Sequence, residues 1–520
     1  MNNAVVAPIR STPVILCAMD LESHMANAVE TDCFALPETD CACPTDCASP
    51  PLTADIDPTI AYALPMLHTD ALPGGWVLAF NPQGAAGVVV LDRAAWMLLS
   101  RFRQPRRLVD AASEGDDFWM VHRGVLRLAG LGLIQRVDRP SGVRRRASET
   151  LTAWLHITNA CNLRCDYCYI NKTPDSMDEA RGRQAIDAVI RSAVAHRFRR
   201  VKLKYAGGEA TLNLPLVIVL HQYARDCVAQ HNLALDGVVL SNGVALGDRQ
   251  IRQIRDSGLR LMISLDGIGD LHDAQRRFVN GRGSFAHVAR TLDRLAQHGV
   301  VPSLSITLSR RNLAGLAETV AYALDRKLPF SLNFYRANDY AAAYADLAFD
   351  EEEIIAAMKA AFAVIEQRLP PYRLFDALLD LVRFDAPHDH SCGVGSSYMV
   401  IDQRGRVAKC HMEIERTVTD VDAPDPLRLI REDATGIQYI PVDAKEGCRT
   451  CTWRSWCAGG CPALTYRVTG RFDVRSPNCR IYQALFPEVL RLEGLRLLQY
   501  AGGSCLEAPE ANTDWHGYER

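Results

Sequence analysis

Apolar and polar positions change rhythm several times along this chain, and the changes divide it. Leu151 to Ile157 reads as a buried strand, and similar runs follow at 201–206, 235–240, 259–265, 301–308 and 329–335. Helical periodicity fills the intervals near 178–196, 214–231, 248–257, 284–298 and 312–326. Strand and helix in alternation predict an α/β fold class, a parallel sheet covered by helices, over residues 151–340. Upstream, over 66–138, Trp76 to Phe80 and Gly87 to Leu91 read as paired strands around Asn81-Pro82-Gln83-Gly84. Asp92 is placed to cap a helix carrying Ala95, Trp96, Leu98, Leu99 and Phe102, and Pro105 to start a second. Phe118 to Leu131 reads as a third helix, with Val121, Val125, Leu128 and Leu131 on one face, and Leu133 to Val137 as a closing strand.

The remaining segments carry less pattern. Residues 1–65 are rich in Pro, Thr, Asp and Cys, which predicts a disordered arm. Thr-Asp-Cys occurs there three times, ending at Cys33, Cys41 and Cys47, so a metal-binding or substrate-mimicking segment is the alternative. Residues 139–150, with Arg144, Arg145 and Arg146, read as a polar linker. Residues 341–385 read as a helical bridge, 386–482 as a cysteine-rich module, and 483–520 as the rest of a C-terminal helix with a loose tail.

A chain of 520 residues predicts two to four domains, and 48% apolar with 23% charged residues describes a soluble globular protein. The net charge of −3 gives no pull toward nucleic acid or an anionic membrane. No apolar run suits a spanning helix, and Pro13 to Met19 is too short for a secretory signal, so a cytoplasmic location is expected. Seventeen cysteines in such a chain suggest thiolate ligands rather than disulfides. Five lie at 17–47, three at 161–168 and seven at 392–479, with Cys227 and Cys505 alone.

The densest signal is Cys161-Asn-Leu-Arg-Cys165-Asp-Tyr-Cys168, directly after the first strand of the alternating region. Three thiolates without a fourth can hold three irons of a 4Fe–4S cube and leave one iron open. A zinc knuckle is the plainer reading, but structural zinc takes four ligands. This spacing, with Tyr167 before the last cysteine, resembles the radical S-adenosylmethionine (SAM) family. The resemblance implies that SAM binds the open iron and yields a 5′-deoxyadenosyl radical that abstracts hydrogen from substrate. It also implies a partial (β/α)6 TIM-like barrel, with its chemistry at the C-terminal strand ends. Ala206-Gly207-Gly208-Glu209 matches the family's motif for the SAM amino group, and Ser241-Asn242-Gly243 ends the third strand. In related sulfatase-maturating enzymes a serine, an arginine and an aromatic contact SAM; here they correspond to Ser264, Arg276 and Tyr167. Leu332 corresponds to an adenine-lining residue. Asp266, His272 and Asp273 are expected to be supporting groups.

Seven further cysteines fit the SPASM pattern of radical SAM peptide maturases: Cys392, Cys410, Cys448, Cys451, Cys457, Cys461 and Cys479. The resemblance assigns Cys392, Cys410 and Cys461 to one auxiliary 4Fe–4S cluster. Cys448, Cys451, Cys457 and Cys479 go to a second, making three clusters in all. The first then has an open iron or a histidine ligand, His388 and His390 being near in sequence. His411 stands where sulfatase-maturating enzymes carry a catalytic aspartate; it is either a proton acceptor or merely a hydrogen-bonded ring. Residues 66–138 resemble a winged helix, more narrowly the PqqD-like leader-recognition domain, which takes a peptide by strand addition. A DNA-reading winged helix is the alternative there, but His122, Arg123 and Arg127 are few cations for it.

The expectation is thus a peptide maturase acting on a ribosomally made precursor with a leader, forming a thioether, ether or carbon–carbon cross-link. A flavodoxin or ferredoxin is its expected reductant; no nucleic acid or membrane is involved. Sulfatase-type side-chain oxidation, small-molecule oxidation and a non-catalytic peptide carrier are the rivals.

Overall fold

The computed structural model describes residues 9, 11–17, 56–84, 86–139, 148–374, 377–384 and 386–501. Its first seven strands are Ile15–Cys17 (β1), Ala61–Ala63 (β2), His68–Leu72 (β3), Trp76–Phe80 (β4), Val88–Leu91 (β5), Arg106–Arg107 (β6) and Gln135–Arg136 (β7). One antiparallel sheet runs β1-β5-β4-β3 and a small second one β6-β2-β7. The β4–β5 pair forms where the alternation and turn residues predict it. Asp92 caps the helix Arg93–Ser100, its carboxylate accepting the Ala95 N–H at 2.7 Å, and Asp117 does the same for Phe118–Gly130.

Three expectations fail in this unit. Within the supposed arm, Ile15–Cys17 and Ala61–Ala63 are strands, because Ile15, Leu16 and Cys17 are apolar and bury themselves on the edge of β5. No second helix starts at Pro105: Arg106 and Arg107 pair with β2, and only the turn Leu108–Asp110 follows. The Arg107 side chain folds onto Asp110. The closing strand is two residues long.

The alternating region continues with Thr150–Thr158 (β8), Leu163–Cys165 (β9), Arg200–Gly207 (β10), Ala234–Ser241 (β11), Arg260–Ser264 (β12), Arg276–Phe278 (β13), Ser303–Leu308 (β14) and Phe330–Phe334 (β15). Tyr398–Ile401 (β16), Arg406–Ala408 (β17) and Thr417–Asp420 (β18) come from the cysteine-rich module. The large sheet runs β15-β14-β12-β11-β10-β8-β16-β17-β18. Six parallel strands are those the pattern predicts. A seventh, β16, adds parallel to β8, so the module shares the sheet instead of standing beside it.

Side chains alternate across these strands. Leu151, Ala153, Leu155 and Ile157 of β8 share one core with Val201, Leu203 and Tyr205 of β10 and with the covering helices. The opposite face carries Trp154, Lys202, Lys204, Ser305, Ser331, Asn333 and Tyr398, a polar and aromatic interior. Leu332 belongs to the outer core with Phe330 and Phe334.

Among its described residues, the supposed bridge is α-helical only over Glu351–Gln367, after two short 3-10 turns. Pro370 and Pro371, which lack N–H donors, bar its continuation. A final helix spans Cys479–Ala501. Cys33, Cys41, Cys43, Cys47, Arg144 to Arg146, Cys505 and the tail from 502 lie outside the described residues. Among those described, no helix is long and apolar enough to cross a membrane.

Candidate active site

Chain reversal after β8 creates the first thiol group. Leu163–Cys165 turns back to pair antiparallel with Arg276–Phe278, in a register that puts Arg276 opposite Cys165. Arg276 is buried and donates to the Tyr167 hydroxyl, which itself donates to Asp266 at 2.6 Å. Asp266 also accepts the Thr307 N–H at 2.8 Å. Burial disfavours the Arg276 charge, but Cys165, Tyr167 and Asp266 around it hold its pKa well above the usual guanidinium value. His272 accepts from the Asp266 N–H at 3.2 Å, and Asp273 accepts the N–H groups of Ser284 and Phe285. Asp266 thus orients Tyr167 and Arg276, while His272 and Asp273 hold the turn.

Next along the strand ends, Glu209 is buried and accepts from Thr211, from the Ser241 hydroxyl at 2.9 Å and from the Asn242 N–H at 2.6 Å. Burial raises its pKa against those bonds. Asn242 in turn points its amide nitrogen at Asn162 Oδ1, 2.7 Å, and at the Cys161 sulfur, 3.8 Å. The glycines before Glu209 serve an approach of backbone to backbone. A Cβ on Gly207 would lie 2.4 Å from the Thr158 oxygen, and one on Gly208 2.4 Å from the Ala160 oxygen. Ser264 ends β12, half-buried, level with Ser305.

Leu332 does not join this group. Ser331 and Asn333 share the interior face, the Asn333 amide donating to Ser305 and Ser331 hydroxyls, so the intervening Leu332 faces the helices.

The other seven cysteines fall into two sets. Cys392, Cys410 and Cys461 line one cavity with Asn333, Arg336, Asp380 and Tyr398 and feel one another electrostatically. Cys448, Cys451, Cys457 and Cys479 are similarly mutual neighbours. Lys445 lies between the sets, its Nζ donating to the Ala458 carbonyl at 3.0 Å.

His411 lines the first cavity; His388 and His390 do not. His388 shares a hydrogen bond with the Ala386 carbonyl, and His390 stacks on Tyr439 with ring centroids 3.2 Å apart. His411 stacks on Trp154 at 4.6 Å and shares a hydrogen bond with the Tyr398 hydroxyl at 3.1 Å. Burial, then Arg336 and Lys204, lower its pKa to about 3, so it is a neutral ring and a weak base near pH 7.

Every cysteine described is free of disulfides. Burial pushes Cys165 and Cys457 up to about 12, and Cys392 and Cys448 to about 11. Thiols so grouped and dehydrated need metal charge to ionise. Among the described residues no three His, Cys, Asp or Glu groups converge to hold a single metal ion. Cys392, Cys410 and Cys461, which line one cavity, suit an iron–sulfur cube, in which each thiolate binds its own iron.

Sequence reading missed Trp154, Lys204, Tyr169, Arg336, Asp380 and Tyr398. Tyr169 lies near both Cys168 and Cys410, and Arg336 grips the buried Asp380 at 2.7 and 2.8 Å. Only Trp154 carried a usable signal, a large aromatic on a strand otherwise occupied by smaller residues.

Residues 155–322 match the Radical SAM superfamily. Those residues therefore form a radical SAM domain. The chain is 33% identical over 166 residues to the serine-type anaerobic sulfatase-maturating enzyme of Klebsiella aerogenes, covering 30% of this chain and 40% of that one. It is 26% identical over 171 residues to the sporulation killing factor maturation protein SkfB of Bacillus subtilis, covering 33% and 38%. The chain thus spans well under half the length of either relative. The fold resembles native anSMEcpe with bound AdoMet and Cp18Cys peptide, with a TM-score of 0.56 and 16% identity over 68% of this chain and 99% of that one.

Proposed function

We propose that this chain is a radical SAM peptide maturase that oxidises a ribosomally made precursor, forming a cross-link. The observation that carries the reading is the convergence at the strand ends. The Cys161–Cys168 loop, Glu209 with Ser241 and Asn242, and the Tyr167–Asp266–Arg276 chain lie around one barrel mouth, with Cys392, Cys410 and Cys461 lining a cavity of the same interior. Cys161, Cys165 and Cys168 would hold a 4Fe–4S cluster carrying SAM; Cys392, Cys410 and Cys461, and separately Cys448, Cys451, Cys457 and Cys479, would hold two auxiliary ones. When bound, these groups would supply reductive cleavage of SAM, hydrogen abstraction from the substrate and a sink for one substrate electron.

The chain's own residues do the rest. Glu209 fixes Ser241 and the Asn242 backbone, and Asn242 directs its amide to the Cys161 sulfur. Gly207 and Gly208 let this shelf approach the cysteine loop. Tyr167, held by Asp266 and Arg276, fixes the loop's far end and, with Ser264, faces the cofactor. Trp154, Tyr398 and His411 pack together and limit water in the interior. The unit over 66–138 docks the precursor's leader.

The test is anaerobic. Reconstituted protein with SAM and reductant should release 5′-deoxyadenosine, and a variant with all three of Cys161, Cys165 and Cys168 changed to alanine should not. A precursor co-expressed from a neighbouring short reading frame should lose two hydrogens per cross-link by mass spectrometry. An unchanged mass with abundant 5′-deoxyadenosine would remove the cross-linking step; oxidation of a single side chain to an aldehyde would favour the sulfatase-maturase type.

A further inference from the structure

Strand β1 is not an ordinary member of its sheet. It is three residues long, and its next described neighbour in the chain is residue 56. It pairs antiparallel with β5, Ile15 opposite Leu91 and Cys17 opposite Val89, and the Asp92 N–H adds a bond to the Val14 carbonyl at 3.1 Å. Without β1, β5 would be the sheet's open edge, a row of unpaired donors and acceptors beside the helix Phe118–Gly130.

That helix and the turn before it receive the segment along one face. Asp116 accepts the Ile9 N–H at 2.6 Å, the Thr12 hydroxyl lies 3.1 Å from the Met120 sulfur, and Arg127 donates to the Ile15 carbonyl at 3.3 Å. Gly124 lets this helix approach both Leu98 and Pro13; a Cβ there would lie 2.7 Å from the leucine and 3.3 Å from the proline ring. Positions 120, 124 and 127 recur at helical spacing and form one stripe, and Asp116 lies in the turn before it. Pockets take alternate side chains. Ile15 and Cys17 enter the core of the small unit, and Leu16 enters the main core with Leu72, Leu78 and Val90. Main-chain pairing at an edge plus pockets for alternate side chains is how a folded domain takes an extended peptide.

We infer that the groove between β5 and the Phe118–Gly130 helix is a peptide-binding site which the chain fills in cis with Ile9 and residues 11–17. An extended peptide in trans must displace this segment before it can bind. Only the identity of that peptide as a precursor leader rests on the function proposed above; the self-occupied groove does not.

A fluorescein-labelled peptide with the sequence of residues 7–19 serves as the probe, read by anisotropy without SAM or iron chemistry. It should bind a chain lacking residues 1–19 at least tenfold more tightly than the full chain. To keep folding out of the question, a protease site placed after Ser23 lets the full chain fold first; after cleavage the probe should exchange into the groove. Ile15→Asp in the uncut chain, which weakens the cis segment and leaves the groove's own residues unchanged, should raise probe binding partway. No saturable binding to the cleaved, still folded protein, or equal binding before and after cleavage, would overturn the inference. Binding as inferred with no 5′-deoxyadenosine formed would leave the groove standing and remove the enzyme reading instead.

Discussion

Two positions test the chemistry at the residue scale. In Gly208→Ala the new methyl would meet the Ala160 oxygen at 2.4 Å and the Asn159 oxygen at 2.5 Å, both backbone atoms that cannot swing aside. We expect a loss of about 1–3 kcal/mol of stability, as for other forced overpacking, and less iron bound per chain after reconstitution. Normal iron content at an unchanged melting temperature would show that the shelf need not lie so close. Asp116 tests electrostatics. Burial pushes its carboxyl up, but Arg101 and the N–H groups of Ile9 and Ser113 hold it down to about 2. Its pKa is lower folded than unfolded, so its stabilisation is complete above about pH 4 and fades as the pH falls toward 2. The shift corresponds to about 2 kcal/mol. Asp116→Asn should remove at least that much near pH 7 and flatten the acid limb of stability against pH. Urea melts at pH 7 and pH 3 read both effects.

Among elements, the two-faced strand is the decisive unit. Leu332 lies in the outer core, so Leu332→Ala should cost about 2–5 kcal/mol of stability by emptying packed volume, while SAM affinity stays within about twofold. Calorimetric titration with SAM beside a thermal melt separates the two; a tenfold loss of SAM affinity at full stability would restore Leu332 to the adenine pocket. The same alternation explains what could be read in advance. Runs such as Leu151 to Ile157 and Leu304 to Leu308 announced strands because their outer-facing residues are uniformly apolar. Lys204, Asn333 and Tyr398 could not be recognised as interior, because a buried polar face looks like an exposed one in sequence. The missing helix after Pro105 has a similar origin. Arg106 and Arg107 have no apolar pattern of their own, and their partner strand, Ala61–Ala63, lies more than forty residues away in what reads as an unstructured arm. Cysteine spacing was legible because it is local, whereas the grip of Arg276 on Tyr167 joins residues 109 positions apart.

For the whole molecule, the shared sheet makes a prediction about metal removal. Were the cysteine-rich module a separate bead, stripping iron from it would leave the barrel untouched. Instead β16 pairs with β8, Tyr398 opposite Thr152 and Ile401 opposite Leu155, and β8 leads into the Cys161–Cys168 loop. Cys392 and Cys410 lie on either side of β16, so thiols that lose their metal charge flank the strand at the sheet's junction. Around the second set of thiols the core is small: buried Cys448 clusters with Val442 and Ala458. Metal binding then contributes directly to the module's folding. Chelation under anaerobic, reducing conditions should therefore raise amide exchange over 442–479 first, then in Tyr398–Ile401, and then in Thr150–Thr158, with the far strands β14 and β15 still protected. Mass-spectrometric hydrogen exchange with and without chelator reads this order. Cys448→Ala with Cys451→Ala should reproduce the first stage alone, because that set lies away from β16. Loss of protection confined to 442–479 in the fully stripped protein would mean that the junction holds by backbone pairing and packing, and that the thiols at 392 and 410 carry no share of the sheet's stability.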